Sequence, residues 1–229
     1  MTKEKLEQEL IQLGLNNLDS LESLLNDTLL TNEKFNLTAI TDKERFRELM
    51  ILDSLYPLKL IGFDNKKIID IGTGAGYPGL PLALSSKGQF TLLDSTKKKI
   101  DHINKYVKSN NIKNVEGVVG RAEEYAVKHI EEFDIAISRA VAPLNVLLEI
   151  VLPLVKVGGY FIAMKGLKAL DEIKLANRAF KELGCMVTNI DEFLLPESRE
   201  RRYNILIKKI KPTNKKYPRL YSEIVHKPL

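Results

Sequence analysis

The sequence predicts an α/β fold: a mostly parallel β-sheet with helices on both faces, closed by a C-terminal antiparallel hairpin and preceded by an N-terminal helical cap. Three observations carry this prediction. From Lys67 onward, strand and helix signals alternate strictly, the pattern of parallel strands joined by crossover helices. An apolar run, Ile68 to Ile71 broken only by Asp70, feeds three glycines spaced two apart, Gly72, Gly74 and Gly76. Leu80, Leu82, Ala83 and Leu84 then read as a helix, so the glycines form a strand-to-helix turn. Two final strand signals follow one another with no helix between them, which makes them partners in a hairpin.

In chain order, residues 1–60 read as helical. Leu6, Leu10 and Leu13 recur at helical spacing, as do Leu18, Leu21, Leu24, Leu25 and Leu29, with Gly14 between the two runs. Thr41-Asp42-Lys43-Glu44 has the form of a capping box with Thr41 as the cap. Phe46, Leu49, Met50 and Leu52 to Leu55 line the helix that follows, and Pro57 closes it. Strands are predicted at Ile68–Ile71, Phe90–Leu93, Val115–Val119, Phe133–Ser138 and Tyr160–Met164, the last entered through Gly158-Gly159. Helices are predicted at Lys97–Ser109, Leu144–Leu152 and Ala169–Leu183. Cys185–Leu194 and Tyr203–Ile207, joined by a turn at Pro196, form the hairpin. The expected organisation is a cap (1–60), a sheet domain (61–210) and a basic C-terminal tail (211–229).

Composition excludes several classes. No apolar stretch approaches the roughly 18 residues that a spanning helix needs, so no membrane partner is expected. The N-terminus leads into a charged helix rather than an apolar leader, which predicts a cytoplasmic protein. The single cysteine, Cys185, forms no internal disulfide, and with three scattered histidines no metal site is expected. The net charge of +5 is unevenly placed: Pro196 to Leu229 carries ten Lys or Arg against three Glu, leaving the first 195 residues at −2. That asymmetry points to a nucleic-acid partner, with a solvated lysine-rich tail as the plain alternative.

In an open α/β sheet, ligands bind beyond the carboxyl ends of the strands. That rule selects Gly72 to Gly76, Asp94, Gly120 to Glu123, Arg139 and Lys165. The turn reads G-x-G-x-G, not the G-x-G-x-x-G of dinucleotide folds, and Asp70 stands two residues before it. An acid beside the turn suits a ligand that bears an amino group and a sulfonium rather than phosphates. The turn resembles motif I of class I S-adenosylmethionine methyltransferases. Asp94 lies 18 residues after Gly76, where a carboxylate can accept from ribose hydroxyls or cap the next helix. Ala122 and Glu123 follow the third strand, where an adenine would lie. Arg139 and Lys165 read either as ion-paired surface residues or as the groups that position the acceptor. No Asn-Pro-Pro-Tyr follows the fourth strand and no Pro-Cys nucleophile is present. An acceptor needing no activation, such as guanine N7, fits best.

Nearly the whole chain resembles the bacterial 16S ribosomal RNA guanine-N7 methyltransferases, also called glucose-inhibited division protein B. The resemblance rests on Phe35-Asn36-Leu37-Thr38-Ala39-Ile40, Leu52-Asp53-Ser54-Leu55, Asp70 through Leu82, Leu92-Leu93-Asp94-Ser95, Gly120-Arg121-Ala122-Glu123-Glu124 and Ile137-Ser138-Arg139-Ala140. It implies S-adenosylmethionine as cofactor, with contacts at Gly72, Tyr77, Ala122, Glu123 and Arg139, and a guanine in the decoding-region loop of small-subunit RNA as acceptor. With the readings above, the expected cofactor set is Asp70, Gly72, Gly74, Gly76, Tyr77, Asp94, Ala122, Glu123 and Arg139. The expected RNA contacts are Asn36, Lys208, Lys209, Lys211, Lys215, Lys216 and Arg219, on 16S RNA or the small subunit, with a monomeric protein. Two positions depart from the family: Thr31-Asn32 stands where Trp-Asn is usual, and Met50 where His is usual. A nicotinamide-dependent oxidoreductase and a non-catalytic RNA-binding assembly factor are the competing readings.

Overall fold

The computed structural model describes residues 1–229. Helices α1 (Lys3–Gln12) and α2 (Leu18–Asn32) open the chain. A short α3 (Lys43–Phe46) then widens into a π-helical turn at Arg47–Leu52 before α4 (Asp53–Leu55). Asp42, not Thr41, caps α3: its carboxylate accepts from the Arg45 amide at 2.8 Å. Asp here outcompetes Thr because its ionised oxygen also complements the positive end of the helix.

The core alternates β1 (Lys67–Ile71), α5 (Gly79–Leu84), β2 (Gln89–Asp94), α6 (Lys97–Ser109), β3 (Val115–Val119), α7 (Ala122–Lys128), β4 (Phe133–Arg139), α8 (Leu144–Val151) and β5 (Val155–Lys165). Then come α9 (Ala169–Leu175), α10 (Asn177–Leu183), β6 (Cys185–Leu194), β7 (Arg201–Lys209) and a terminal α11 (Tyr221–His226). The seven strands lie in the order β3-β2-β1-β4-β5-β7-β6. Only β7 runs against its neighbours, pairing antiparallel with both β5 and β6. The chain leaves β1 in one direction and returns at β4 in the other, so the crevice between their carboxyl ends is the switch point of the sheet.

Strand alternation divides the core into two halves. Ile68, Phe90, Leu92, Ile135 and Ile162 face one way and pack with Leu6, Leu10, Leu21, Leu24, Leu25 and Phe46 of the cap. Ile69, Ile71, Leu93, Ala136 and Phe161 face the other way, onto Leu147, Leu148, Val151, Ala179 and Leu183. The cap therefore forms one face of the sheet's own core. Each fully buried leucine contributes roughly 1.5 to 3 kcal/mol, so these alone hold the cap firmly. Glu48 of the π-turn pins the cap at a second place, accepting from the amides of Glu197 (2.6 Å) and Ser198 (3.0 Å) in the β6–β7 turn.

Three further elements differ from the sequence-based expectation. Gly158-Gly159 does not precede the fifth strand but lies inside it. Val155 pairs with Phe133 and Tyr160 with Ile135, so the glycines bulge out of the ladder. The helix expected over 169–183 breaks at Ala176 into α9 and α10. The basic tail is a folded segment: Tyr217, Ile224 and Leu229 are buried, with Ile224 against Val146 and Ile150 of α8.

Candidate active site

The glycine turn is built by two aspartates. Gly72 and Thr73 donate their amides to the Leu93 carbonyl, at 2.8 and 3.1 Å, which ties the turn to the end of β2. Asp70 is fully buried beneath it, and one carboxylate oxygen accepts from the Thr73 hydroxyl at 2.6 Å and the Gly79 amide at 2.9 Å. Burial pushes the Asp70 carboxyl up to about 6, against the lowering effect of those two bonds. Asp70 therefore shapes the turn from below and lines neither of the two cavities that flank it. Asp94 holds it from the side, accepting from the Gly74 amide at 2.9 Å and the Thr96 amide at 2.8 Å. It thus orients the turn and the start of α6 while still facing the crevice.

The three glycines serve different ends, although all have positive φ. A Cβ on Gly76 would lie 2.4 Å from Leu80, so that glycine permits internal packing. A Cβ on Gly72 would meet Val141 at 2.5 Å. One on Gly74 would meet no protein atom within 4 Å and would project into open space. Tyr77 likewise turns inward: its ring packs edge-on to Phe46 and its hydroxyl pairs with Thr28 at 2.9 Å.

Two cavities meet at Gly72 and Val141. The smaller, about 310 Å³, is lined by Asp94, Ser95, Thr96, Gly120 to Glu123, Leu147 and Ile150. The larger, about 810 Å³, is bounded by Gly72 to Ala75, the Leu37-Thr38 loop, Met50 and Asp53 of the cap, Arg139 to Pro143, and Glu200, Arg202 and Asn204 of the hairpin. Asn32 fixes that loop by accepting from the amides of Leu37 (2.7 Å) and Thr38 (2.9 Å), while Asn36 itself is exposed.

Arg139 leaves the end of β4 and is held by the cap. It donates to the Leu49 carbonyl at 3.0 Å and to Asp53 at 3.1 Å, and lies 3.5 Å from the Met50 sulfur. Leu49 of the π-turn supplies the carbonyl and Asp53, the first residue of α4, supplies the carboxylate. Arg202 approaches the same Asp53 oxygen at 3.6 Å and pairs with Glu200 at 2.7 Å. Burial raises the Asp53 carboxyl above the usual carboxylate range, more than the two guanidinium groups lower it. Lys165 is spent internally, on Glu172 at 2.8 Å and the Ala142 carbonyl at 2.6 Å. It braces the wall of the larger cavity rather than offering a free ammonium.

The lysines of β7 lie elsewhere. Lys208 pairs in register with Tyr160, near the amino end of the parallel strands and far from the glycine turn. Lys209 is 0% exposed, its ammonium held by the carbonyls of Leu152 (2.9 Å) and Val155 (2.8 Å) and by Glu131 (3.0 Å). No RNA phosphate reaches it. Arg219 is bound in a fork to the buried Glu149, at 2.8 and 2.6 Å. Lys211, Lys215 and Lys216 are exposed. Asp53, Arg202 and Asn204 escape the sequence-based site list. Arg202 and Asn204 alternate on β7, but the sequence-based strand began at Tyr203 and left Arg202 outside the period-2 pattern.

The sheet order, its antiparallel seventh strand, and a crevice with an open glycine and a carboxylate at the end of β2 define an S-adenosylmethionine-dependent methyltransferase. The fit is physical: Gly74 leaves the approach to the turn clear, and two joined cavities open beside it. Solved structures share the fold. An S-adenosylmethionine-dependent methyltransferase from Aquifex aeolicus aligns over 74% of this chain and 94% of its own, with TM-score 0.56 and 17% identity. M. jannaschii TYW2, in complex with AdoMet, aligns over 69% of this chain and 77% of its own, with TM-score 0.55 and 16% identity.

Sequence relatives narrow the class. The family model described as "rRNA small subunit methyltransferase G" matches residues 17–202, and the chain belongs to that family. Proteins named ribosomal RNA small subunit methyltransferase G from Thermoanaerobacter sp. (strain X514) and Clostridium novyi (strain NT) are 44% and 42% identical to it. Each alignment covers 86% of this chain, and 84% and 83% of the respective relatives. The chain is a ribosomal RNA methyltransferase that uses S-adenosylmethionine.

Proposed function

We propose that the chain methylates N7 of a guanine in the decoding-region loop of 16S ribosomal RNA, directly and without a covalent intermediate. The observation that carries this reading is the chemistry of the larger cavity. Its carboxylates are engaged with guanidinium or ammonium partners, and neither Cys nor His lines it. Such a wall supplies no nucleophile and no neutral imidazole base, and guanine N7 needs neither because its lone pair is already exposed. When bound, S-adenosylmethionine supplies an electrophilic methyl group. The task left to the protein is to hold the base in line, an orientation effect worth up to roughly 7 to 11 kcal/mol.

Two buried polar atoms are free to meet a base edge. One oxygen of Asp53 and the side-chain nitrogen of Asn204 have no partner in the protein, and both residues line the larger cavity. The unpaired Asp53 oxygen can accept from guanine N1–H and the Asn204 amide can donate to O6, a pairing that takes up the Watson–Crick edge of the base. Reading that edge leaves N7 free on the adjoining Hoogsteen edge. The Asp53 carboxylate also offsets the positive charge that N7-methylation creates. Gly72, Gly74, Asp94, Ala122 and Glu123 would hold the cofactor, while Arg139 and Asp53 position the base and Arg45 at the cavity rim meets phosphate. The protein acts in the cytoplasm as a monomer, on the naked RNA or on the small subunit. Transfer of labelled methyl groups to a 16S transcript, repeated with 7-deazaguanine in place of guanine, tests the acceptor atom. Incorporation should vanish with the N7 atom. Persistent labelling would place the methyl group elsewhere.

A further inference from the structure

The geometry points to Tyr221 as a wall of the nucleoside end of the cofactor cleft, contributed by a C-terminal segment that lies beyond the family match ending at residue 202. Tyr221 joins Asp94, Lys99, Arg121 and Glu123 around the smaller cavity. Its ring is 40% exposed, and the Arg121 guanidinium carbon sits 5.7 Å from the ring centre. A flat aromatic face beside a guanidinium, at the edge of a nucleoside-sized cavity, is suited to stack on a purine.

The segment is fastened on both sides of this residue. Two positions before it, the Arg219 amide and guanidinium make three bonds to Glu149 on α8, at 3.1, 2.8 and 2.6 Å. Glu149 is fully buried, and Arg219 also closes the segment's own end by donating to the Lys227 carbonyl at 3.1 Å. Three positions after Tyr221, Ile224 is buried against Val146 and Ile150. Ile150 itself lines the smaller cavity, so the anchor and the cavity wall share a side chain. Desolvating a charge pair costs free energy that two apolar residues would not incur, and its fixed fork geometry sets the segment in one position. That position presents Tyr221 to the cleft. The basic composition of the tail therefore serves in part to seat a cofactor contact, because Arg219 is an internal tie.

This inference rests on the assignment of the cleft to S-adenosylmethionine, and the test separates the two. Calorimetry with S-adenosylhomocysteine and with adenosine alone should show Tyr221→Ala weakening both ligands by a similar factor, roughly tenfold for the loss of one stacking side chain. Tyr221→Phe, which keeps the ring, should restore affinity. The KM for the methyl donor should rise with the loss, while kcat at saturating donor and the KM for RNA hold. Thermal midpoints should move little, since Tyr221 is 40% exposed. The chain contains no tryptophan. Tyr221→Trp therefore installs a single reporter whose fluorescence should be quenched by adenosine. Unchanged adenosine affinity in Tyr221→Ala, with the wild type binding normally, would overturn the role of Tyr221. Failure of the wild type to bind either ligand would overturn the cleft assignment and this inference with it.

Discussion

At the scale of single residues, the glycine turn separates binding from packing. Gly74 faces open space at φ +61°, whereas Gly76 backs onto Leu80. Gly74→Val strains a positive-φ backbone and should lower the melting temperature modestly, while weakening S-adenosylmethionine on the order of 100-fold, equivalent to about 2.7 kcal/mol. Gly76→Val adds a clash with Leu80 to the same strain and should lower the melting temperature much further. Calorimetry and thermal melts on both variants check this, and a reversed pattern would exchange the two roles. Asp70 makes a second prediction. Its folded pKa of about 6 lies above the ordinary 3.8, so between these values the native state binds more protons than the unfolded chain. Wild-type stability should therefore fall as pH rises from about 4 to 6, by at most about 3 kcal/mol from this group. Asp70→Asn lacks that titration. Its urea midpoint should gain on the wild type between pH 4.5 and 7, and a constant gap would contradict the assignment. Asp70 was legible as an acid at the turn, but spacing could not distinguish a ligand contact from a buried brace. Nor could it show that Tyr77 faces the Thr28 hydroxyl.

At the scale of elements, the strands and the terminal hairpin were legible from apolar runs and the strict alternation of strand and helix, whereas the spatial order of the strands was not. What escaped were features set by tertiary contact. The π-turn at Arg47–Leu52 exists where Glu48 reaches the β6–β7 turn and Asp53 reaches Arg139, partners 149 and 86 residues away in the chain. The basic C-terminal surplus read as a nucleic-acid contact, with a solvated segment as the alternative, because composition counts Lys209 of β7 and Arg219 of the tail as charges without showing that both are paired inside. Arg219→Ala strands Glu149 and should cost roughly 2 to 3 kcal/mol in urea unfolding. That is below the usual penalty for a buried pair, because Arg219 is partly exposed. A change within 0.5 kcal/mol, the ordinary range for a surface substitution, would mean the fork is incidental.

At the scale of the molecule, the cap, the sheet and the hairpin meet at one cavity, and each contributes a group to it: Asp53, Arg139 and Asn204. Basic residues stand at both ends of the sheet. The exposed Arg45 and half-buried Arg202 border the cavity, whereas the half-buried Lys208 sits at the far end of the strands. Arg45→Glu should weaken RNA binding and reduce the slope of log K against log salt by about one phosphate contact. Lys208→Glu should do so less, and equal effects would extend the RNA footprint across the whole sheet edge. The central claim, transfer to guanine N7 in small-subunit RNA, is tested most directly by mapping. Small subunits prepared without the modification are treated with the protein and S-adenosylmethionine, then reduced with borohydride, cleaved with aniline and read by primer extension. A single new cleavage-dependent stop at a guanine of the decoding-region loop is predicted. Methyl incorporation with no aniline-sensitive site, or at a site outside 16S RNA, would contradict it.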